Sequence, residues 1–165
     1  MDTLAYPQCV CKRMPAQNPA LCSGPFTFAE KGKKVRLTPG PDEQVLALVL
    51  DGCVLTDNQP KCDGLFLWCG RGKGAAILIE LKGTDLGKGF EQLAYVLHHR
   101  PEYRHLRQQL ADNCTGPVKD KAFMITSAPI SYPQKEALEE RYGIRVATIL
   151  HSDASSKIPE LRTRL

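Results

Sequence analysis

At 165 residues, with 42% hydrophobic and 24% charged residues and a formal charge of +4, the chain can bury one proper core and is too short for two ordinary domains. The composition excludes a disordered or fibrous protein, and no stretch approaches the ~20 apolar residues that cross a bilayer. Residues 1–38 carry Lys12, Arg13, Lys31, Lys33, Lys34 and Arg36 against Asp2 and Glu30, a surplus of four that equals the charge of the whole chain. Such clustering suits a phosphate backbone and equally suits a solvated face.

In chain order, residues 1–25 are broken by proline, Asn, Gln and Ser and predict an irregular arm. Residues 26–30 and 34–38 alternate in type around Lys31-Gly32-Lys33, which predicts a small hairpin whose basic tip, with Lys34, could touch a phosphate. Residues 45–50 are continuously apolar, a run whose period does not separate helix from strand, and are read as a strand ending at Asp51-Gly52 after at most a short helical turn. Asp51 reads as the turn residue of that pair, or as a further carboxylate beside a site. Residues 65–68 and 75–81 flank a Gly/Lys/Arg tip and predict a second, apolar hairpin. Its tip lacks the spacing of a phosphate-binding loop and does not open a helix.

After Lys82, Gly83-Thr84-Asp85 supplies cap chemistry for a helix to about His99, stopped by Pro101. Leu86, Phe90, Leu93, Ala94 and Leu97 form its apolar face, while Lys88, Gln92, Tyr95 and His99 follow another side. A helix over 103–111, a strand over 121–126, a helix over 134–142 ended by Gly143, and a strand over 145–150 complete the pattern. Strand, helix, strand at this spacing is a crossover, so part of the sheet is expected to be parallel. The tail 152–165 is polar and basic and is expected to be mobile.

The chemistry concentrates at the ends of the second hairpin. In a strand Glu80 and Lys82 project to one side while Ile77, Ile79 and Leu81 project to the other, and an antiparallel partner returns Asp63 to the same neighbourhood. A carboxylate and an ammonium on the buried side of an apolar strand gain nothing unless they are paired or bind something. One reading is a divalent cation held by Asp63 and Glu80 with Lys82 beside the attacking water or phosphate. The other is a strand that runs into solvent at Glu80 with Lys82 as its ion-pair partner.

Asp63, Glu80-Leu81-Lys82 at the end of a hydrophobic strand, and a following helix with Gln92 together resemble the active-site signature of the PD-(D/E)xK nuclease superfamily. The resemblance spans about residues 45–150 and includes the order of elements. It departs at Cys62, which stands where the pattern has proline, with Pro60 further back. It implies an α/β fold, a mixed β-sheet flanked by helices in a restriction-endonuclease-like core, and hydrolysis of phosphodiester bonds. It further implies Mg²⁺ or Mn²⁺ on Asp63 and Glu80, with Lys82 and Gln92 completing the site. Asp51 is a further metal-ligand candidate, and Lys31, Lys33, Lys34 and Lys88 are candidates for contact with nucleic acid, DNA ahead of RNA. Relatives often add a glutamate from before the first core strand; Glu43 is the nearest candidate and Glu30 the second.

Rival readings are a non-catalytic nucleic-acid-binding or protein-interaction module on the same scaffold, and a hydrolase of small phosphate esters. Seven cysteines with no export signal predict free thiols and a cytoplasmic protein with no membrane association. Cys9, Cys11 and Cys22 lack the Cys-x-x-Cys spacing and the fourth ligand of a zinc site. The four histidines are scattered and form no catalytic pattern. A homodimer is compatible with the sequence, which does not fix the oligomeric state.

Overall fold

The apolar runs meet in one five-stranded sheet in the computed structural model, which describes residues 1, 4–14, 21–152, 154 and 157–165. A separate hairpin comes first, β1 (Thr27–Glu30) with β2 (Lys33–Arg36). The sheet then takes β3 (Gln44–Val49), β4 (Gly64–Gly70), β5 (Lys73–Lys82), β6 (Val118–Thr126) and β7 (Ala147–Leu150), in that spatial order. β3, β4 and β5 run as an antiparallel meander, and β6 and β7 add in parallel to β5. Helices α1 (Leu86–His99) and α2 (Pro101–Asn113) connect β5 to β6, and α3 (Tyr132–Tyr142) connects β6 to β7.

Local chemistry sets the joints. Arg71 and Gly72 both adopt positive φ, 54° and 71°, so β4 returns into β5 through a two-residue turn whose twist matches the strands. Asp85 caps α1 by accepting the Lys88 amide, and Pro101 ends that helix and starts the next, as the sequence predicts. Ser131 and Gln134 form a capping box at α3, and Gly143 at φ 63° closes it.

Alternation along the strands sorts two cores. Leu65, Leu67, Ala76, Leu78 and Met124 face Phe90, Leu93 and Val96 of α1 and Tyr103 and Leu106 of α2. Phe66, Trp68, Ile77, Ile79 and Ile125 face Phe28, Val35 and Leu37 of the small hairpin together with Leu161. A sheet covered on both faces explains why its strands read as unbroken apolar runs. At Gly64 an added Cβ would lie 2.7 Å from the Phe28 ring, so the hairpin presses onto the sheet there and carries Glu30 toward the Asp63 end.

Three expectations are corrected. β6 begins at Val118 rather than at 121, because its polar Lys119 and Asp120 form the exposed start of a strand whose remainder is buried. Within the tail, whose residues 153, 155 and 156 lie outside the described residues, 161–164 form a docked 3₁₀ turn rather than a mobile end. There Leu161 is fully buried and Arg36 pairs with Glu160 at 3.2 Å. The N-terminal arm, of which 15–20 lie outside the described residues, carries 3₁₀ turns at Pro7–Cys9 and Cys11–Arg13, and Val10 bridges to Leu48.

The cysteines are the third correction. Disulfides join Cys9 to Cys53, Cys11 to Cys22 and Cys69 to Cys114, and only Cys62 is free. Partners 44, 11 and 45 residues apart carry no local spacing signal. Disulfides persist in oxidising surroundings, which pulls against the cytoplasmic expectation. Alkylation of the unfolded, unreduced protein should modify one thiol, at Cys62, and peptide mapping that finds more would remove a cross-link. Among the described residues no helix is long and apolar enough to cross a membrane.

Candidate metal centre

Asp63 precedes β4 by one residue. The β4–β5 register sets Gly64 against Ile79, and one further step sets Asp63 against Glu80. Residues opposed across an antiparallel pair share a face, here the helix side, because Leu65 and Leu78 next in line both belong to the core under α1. The Leu81 amide donates to Asp63 Oδ2 at 2.6 Å and fixes that carboxylate at the strand end.

Glu80 is 2% exposed, and its Oε2 has no hydrogen-bond partner among the described residues. Its other oxygen lies 3.7 Å from Lys82 Nζ. Lys82 Nζ donates to Gln92 Oε1 at 3.2 Å, and Gln92 Nε2 donates to the Lys61 carbonyl at 2.8 Å. Helix α1 thus orients the ammonium through Gln92 and ties it to the segment leading into Asp63. The solvated-strand reading of Glu80 and Lys82 fails on this burial.

Burial, and then the charge of Asp63, push the Glu80 carboxyl up to about 9, against the opposing Lys82 ammonium and Asp63 main chain. Burial first, then the charges of Glu30 and Asp51, push Asp63 up to about 7, against the Leu81 amide and Lys82. Burial and mutual repulsion thus keep both carboxyls protonated at pH values where ordinary carboxylates are ionised. Free Cys62 is buried beside them, and burial together with both acids drives its thiol well above the usual range, so it is no nucleophile.

The remaining candidates divide. Asp51 takes the turn role the sequence predicts, its amide bonding the Asp63 carbonyl at 3.3 Å after β3, and its charge adds to the upward push on Asp63. Glu30 acts on both buried carboxyls. Glu43 stands at the far end of the sheet, where Arg162 at 2.9 Å, then the Gly40 amide and Trp68, hold its carboxyl well below the usual range, and Arg71 pairs with it at 3.1 Å. Of the basic candidates, Lys33 is withdrawn from solvent: period two puts it on the side of buried Val35, and its Nζ donates to the Lys31 carbonyl at 3.0 Å. Lys31 occupies the turn at φ 46°, Lys34 is partly buried, and Lys88 pairs with Glu91 at 3.1 Å.

Sequence reasoning missed the clamp behind the site. Arg100, 4% exposed, donates to both Asp57 oxygens at 2.5 and 2.7 Å and fastens the 56–60 loop that feeds Lys61 and Asp63. Tyr95 adds a bond from its hydroxyl to Gln59 at 3.1 Å. Nothing in the local sequence marks an arginine directly before a proline as a buried fork. Replacing it, Arg100→Ala, is expected to cost about 2 kcal/mol through lost charge-assisted bonds and packing. That corresponds to a melting temperature lower by about 4–8 °C for a chain of this size, measurable by calorimetry.

The donor set suits a hard cation. Among the described residues no three His, Cys, Asp or Glu side chains form a ready cage, but Mg²⁺ commonly takes one or two protein carboxylates and keeps several waters. A buried carboxylate oxygen without a partner, beside a second carboxylate, is the vacancy in hydrogen bonding that such an ion satisfies. Comparison with family models, curated proteins and solved structures returns no match for this chain.

Proposed function

We propose that the chain is a metal-dependent nuclease of the PD-(D/E)xK kind with a restriction-endonuclease-like core, hydrolysing phosphodiester bonds of nucleic acid. One observation carries the reading: Asp63 and Glu80 are opposed at a strand end with Glu80 Oε2 buried and unpartnered, and Lys82 is held beside them by Gln92. The order of elements, an antiparallel meander extended in parallel through a helical crossover, agrees with what the signature implies.

In this reading Asp63 and Glu80, once ionised, would hold Mg²⁺ or Mn²⁺. When bound, that ion supplies Lewis-acid stabilisation of charge on a phosphate oxygen and a water of lowered pKa. Lys82 keeps a quarter of its side chain exposed, so its ammonium faces incoming substrate while Glu80 and Gln92 limit its freedom. Its role is to orient water or to stabilise charge developing on the phosphoryl oxygens. Gln92 acts through Lys82 as a positioning residue, and Asp51 and Glu30 strengthen the local negative field that draws a cation in.

The direct test is a panel of end-labelled single-stranded, duplex and branched DNA and RNA incubated with Mg²⁺, Mn²⁺ or EDTA. Ion-dependent cutting of at least one substrate is expected. No cutting of any of them, together with no rise in melting temperature on adding either ion, would leave a binding module on this scaffold.

A further inference from the structure

The sheet has a second charged feature. β6 starts at Val118, whereas β7 joins it only at Phe123, so among the described residues no strand pairs with 118–122 on that side. The gap opens into a cleft of about 450 Å³ between β6, α3 and the C-terminal turn, lined by Lys121, Lys135, Arg145 and Arg164 with the Tyr132 ring at its rim. Lys73 and Lys119 lie close enough that, after burial, their charges are what depress the Lys121 ammonium.

The acids in this cleft are already engaged. Asp120 accepts from the Tyr103 hydroxyl and from Arg107, and Glu139 accepts the Val146 amide. None of the six cations has a carboxylate partner among the described residues, unlike Arg36, Arg71, Arg100, Arg107 and Arg162. With Asp120 taken by Arg107, Glu139 alone faces Lys121, Lys135, Arg145 and Arg164 across the cleft, and this excess of positive charge costs free energy unless a polyanion covers it. The concavity disfavours a flat lipid surface, and Tyr132, 74% exposed, offers a stacking face. Cations tracking a backbone beside an exposed aromatic ring are the arrangement that holds unpaired nucleotides.

We propose that this cleft is a binding site for a single-stranded nucleic-acid segment, separate from the Asp63–Glu80 pair. In the sheet Lys121 pairs with Ile77, three residues from Glu80, and Lys119 with Ala75, five residues away. At ~3.3 Å per residue they lie about 10 and 17 Å along the strand from the carboxylates. Binding here does not depend on hydrolysis at the carboxylates.

The test is fluorescence anisotropy with a labelled oligodeoxythymidylate and a labelled duplex, in EDTA so that nothing is cut. Wild type, the double variant Lys135→Glu/Arg145→Glu, Tyr132→Ala and Asp63→Asn are compared, each checked for cooperative melting. Saturable single-strand binding is expected. The double variant should weaken it at least tenfold and reduce the salt slope by about 1.4, at ~0.7 per lost contact. Tyr132→Ala, at an exposed position, should weaken the single strand about tenfold and leave the duplex unchanged. Asp63→Asn should bind as wild type does, which supports the cleft even if no substrate is ever cut. Absent binding, equal binding by the charge and tyrosine variants, loss of binding in Asp63→Asn, or binding of anionic phospholipid vesicles in place of the oligonucleotide would each overturn the assignment.

Discussion

Asp63→Asn and Glu80→Gln proteins should each cut about a thousandfold more slowly than wild type, or not at all, while melting no earlier. The second half of that result distinguishes a site from a scaffold. Glu80 is buried at the end of an apolar strand with one oxygen unpartnered, so its ionised form is held at a cost that a neutral amide of the same shape avoids. Glu80→Gln should therefore be neutral to stabilising in EDTA and should lack the rise in melting temperature that Mg²⁺ is expected to give wild type. Lys82→Ala should slow cutting about a hundredfold but keep that metal-induced rise, because the carboxylates remain. Cleavage at wild-type rate by either carboxylate variant, or a large drop in its melting temperature, would refute the assignment.

In EDTA the wild-type melting temperature should fall steadily as pH rises from about 5 to about 9. In the unfolded chain both carboxyls ionise near pH 4, whereas in the fold Asp63 and Glu80 stay protonated up to about 7 and about 9. Across that window the native state binds more protons than the unfolded state, so stability is complete at low pH and is lost as pH climbs. Divalent ion is expected to reverse the trend, since a cation held by the pair would take the place of the proton and compete better as protons become scarce. The stabilisation by Mg²⁺ should thus grow from pH 6 to pH 9, and Glu80→Gln should flatten both slopes. Calorimetry across pH with Mg²⁺ or EDTA decides it; a melting temperature that climbs through the window in EDTA would contradict the burial of the pair.

Much of this was legible in the residues because the sheet is covered on both faces. Unbroken apolar runs bounded by Gly, Pro and Asp marked β3, β4 and β5, and period two alone assigned Glu80 and Lys82 to one side and Ile79 and Leu81 to the other. Asp85, Pro101, Ser131 and Gly143 act through local backbone chemistry and so are readable locally. Lys33 had the opposite fate, since alternation buries it although composition advertises a basic tip. What stayed hidden depends on contacts between distant segments. The Arg100–Asp57 fork spans 43 residues, Glu43 and Arg162 span 119, and neither has a signature within its own element. The cation cleft was hidden for the same reason: its members come from β6, α3, the approach to β7 and the last turn.

The bond from Cys9 to Cys53 fastens the 3₁₀ turn at Pro7–Cys9 to the bend that follows Asp51. A loop of that length, once closed, removes about 4 kcal/mol of freedom from the unfolded chain in the entropic treatment of cross-links. Protein produced in a thiol-rich host cytosol and protein refolded under air would then be two different molecules at the Asp51 bend. Assays on the two should be compared only after their sulfur state has been matched.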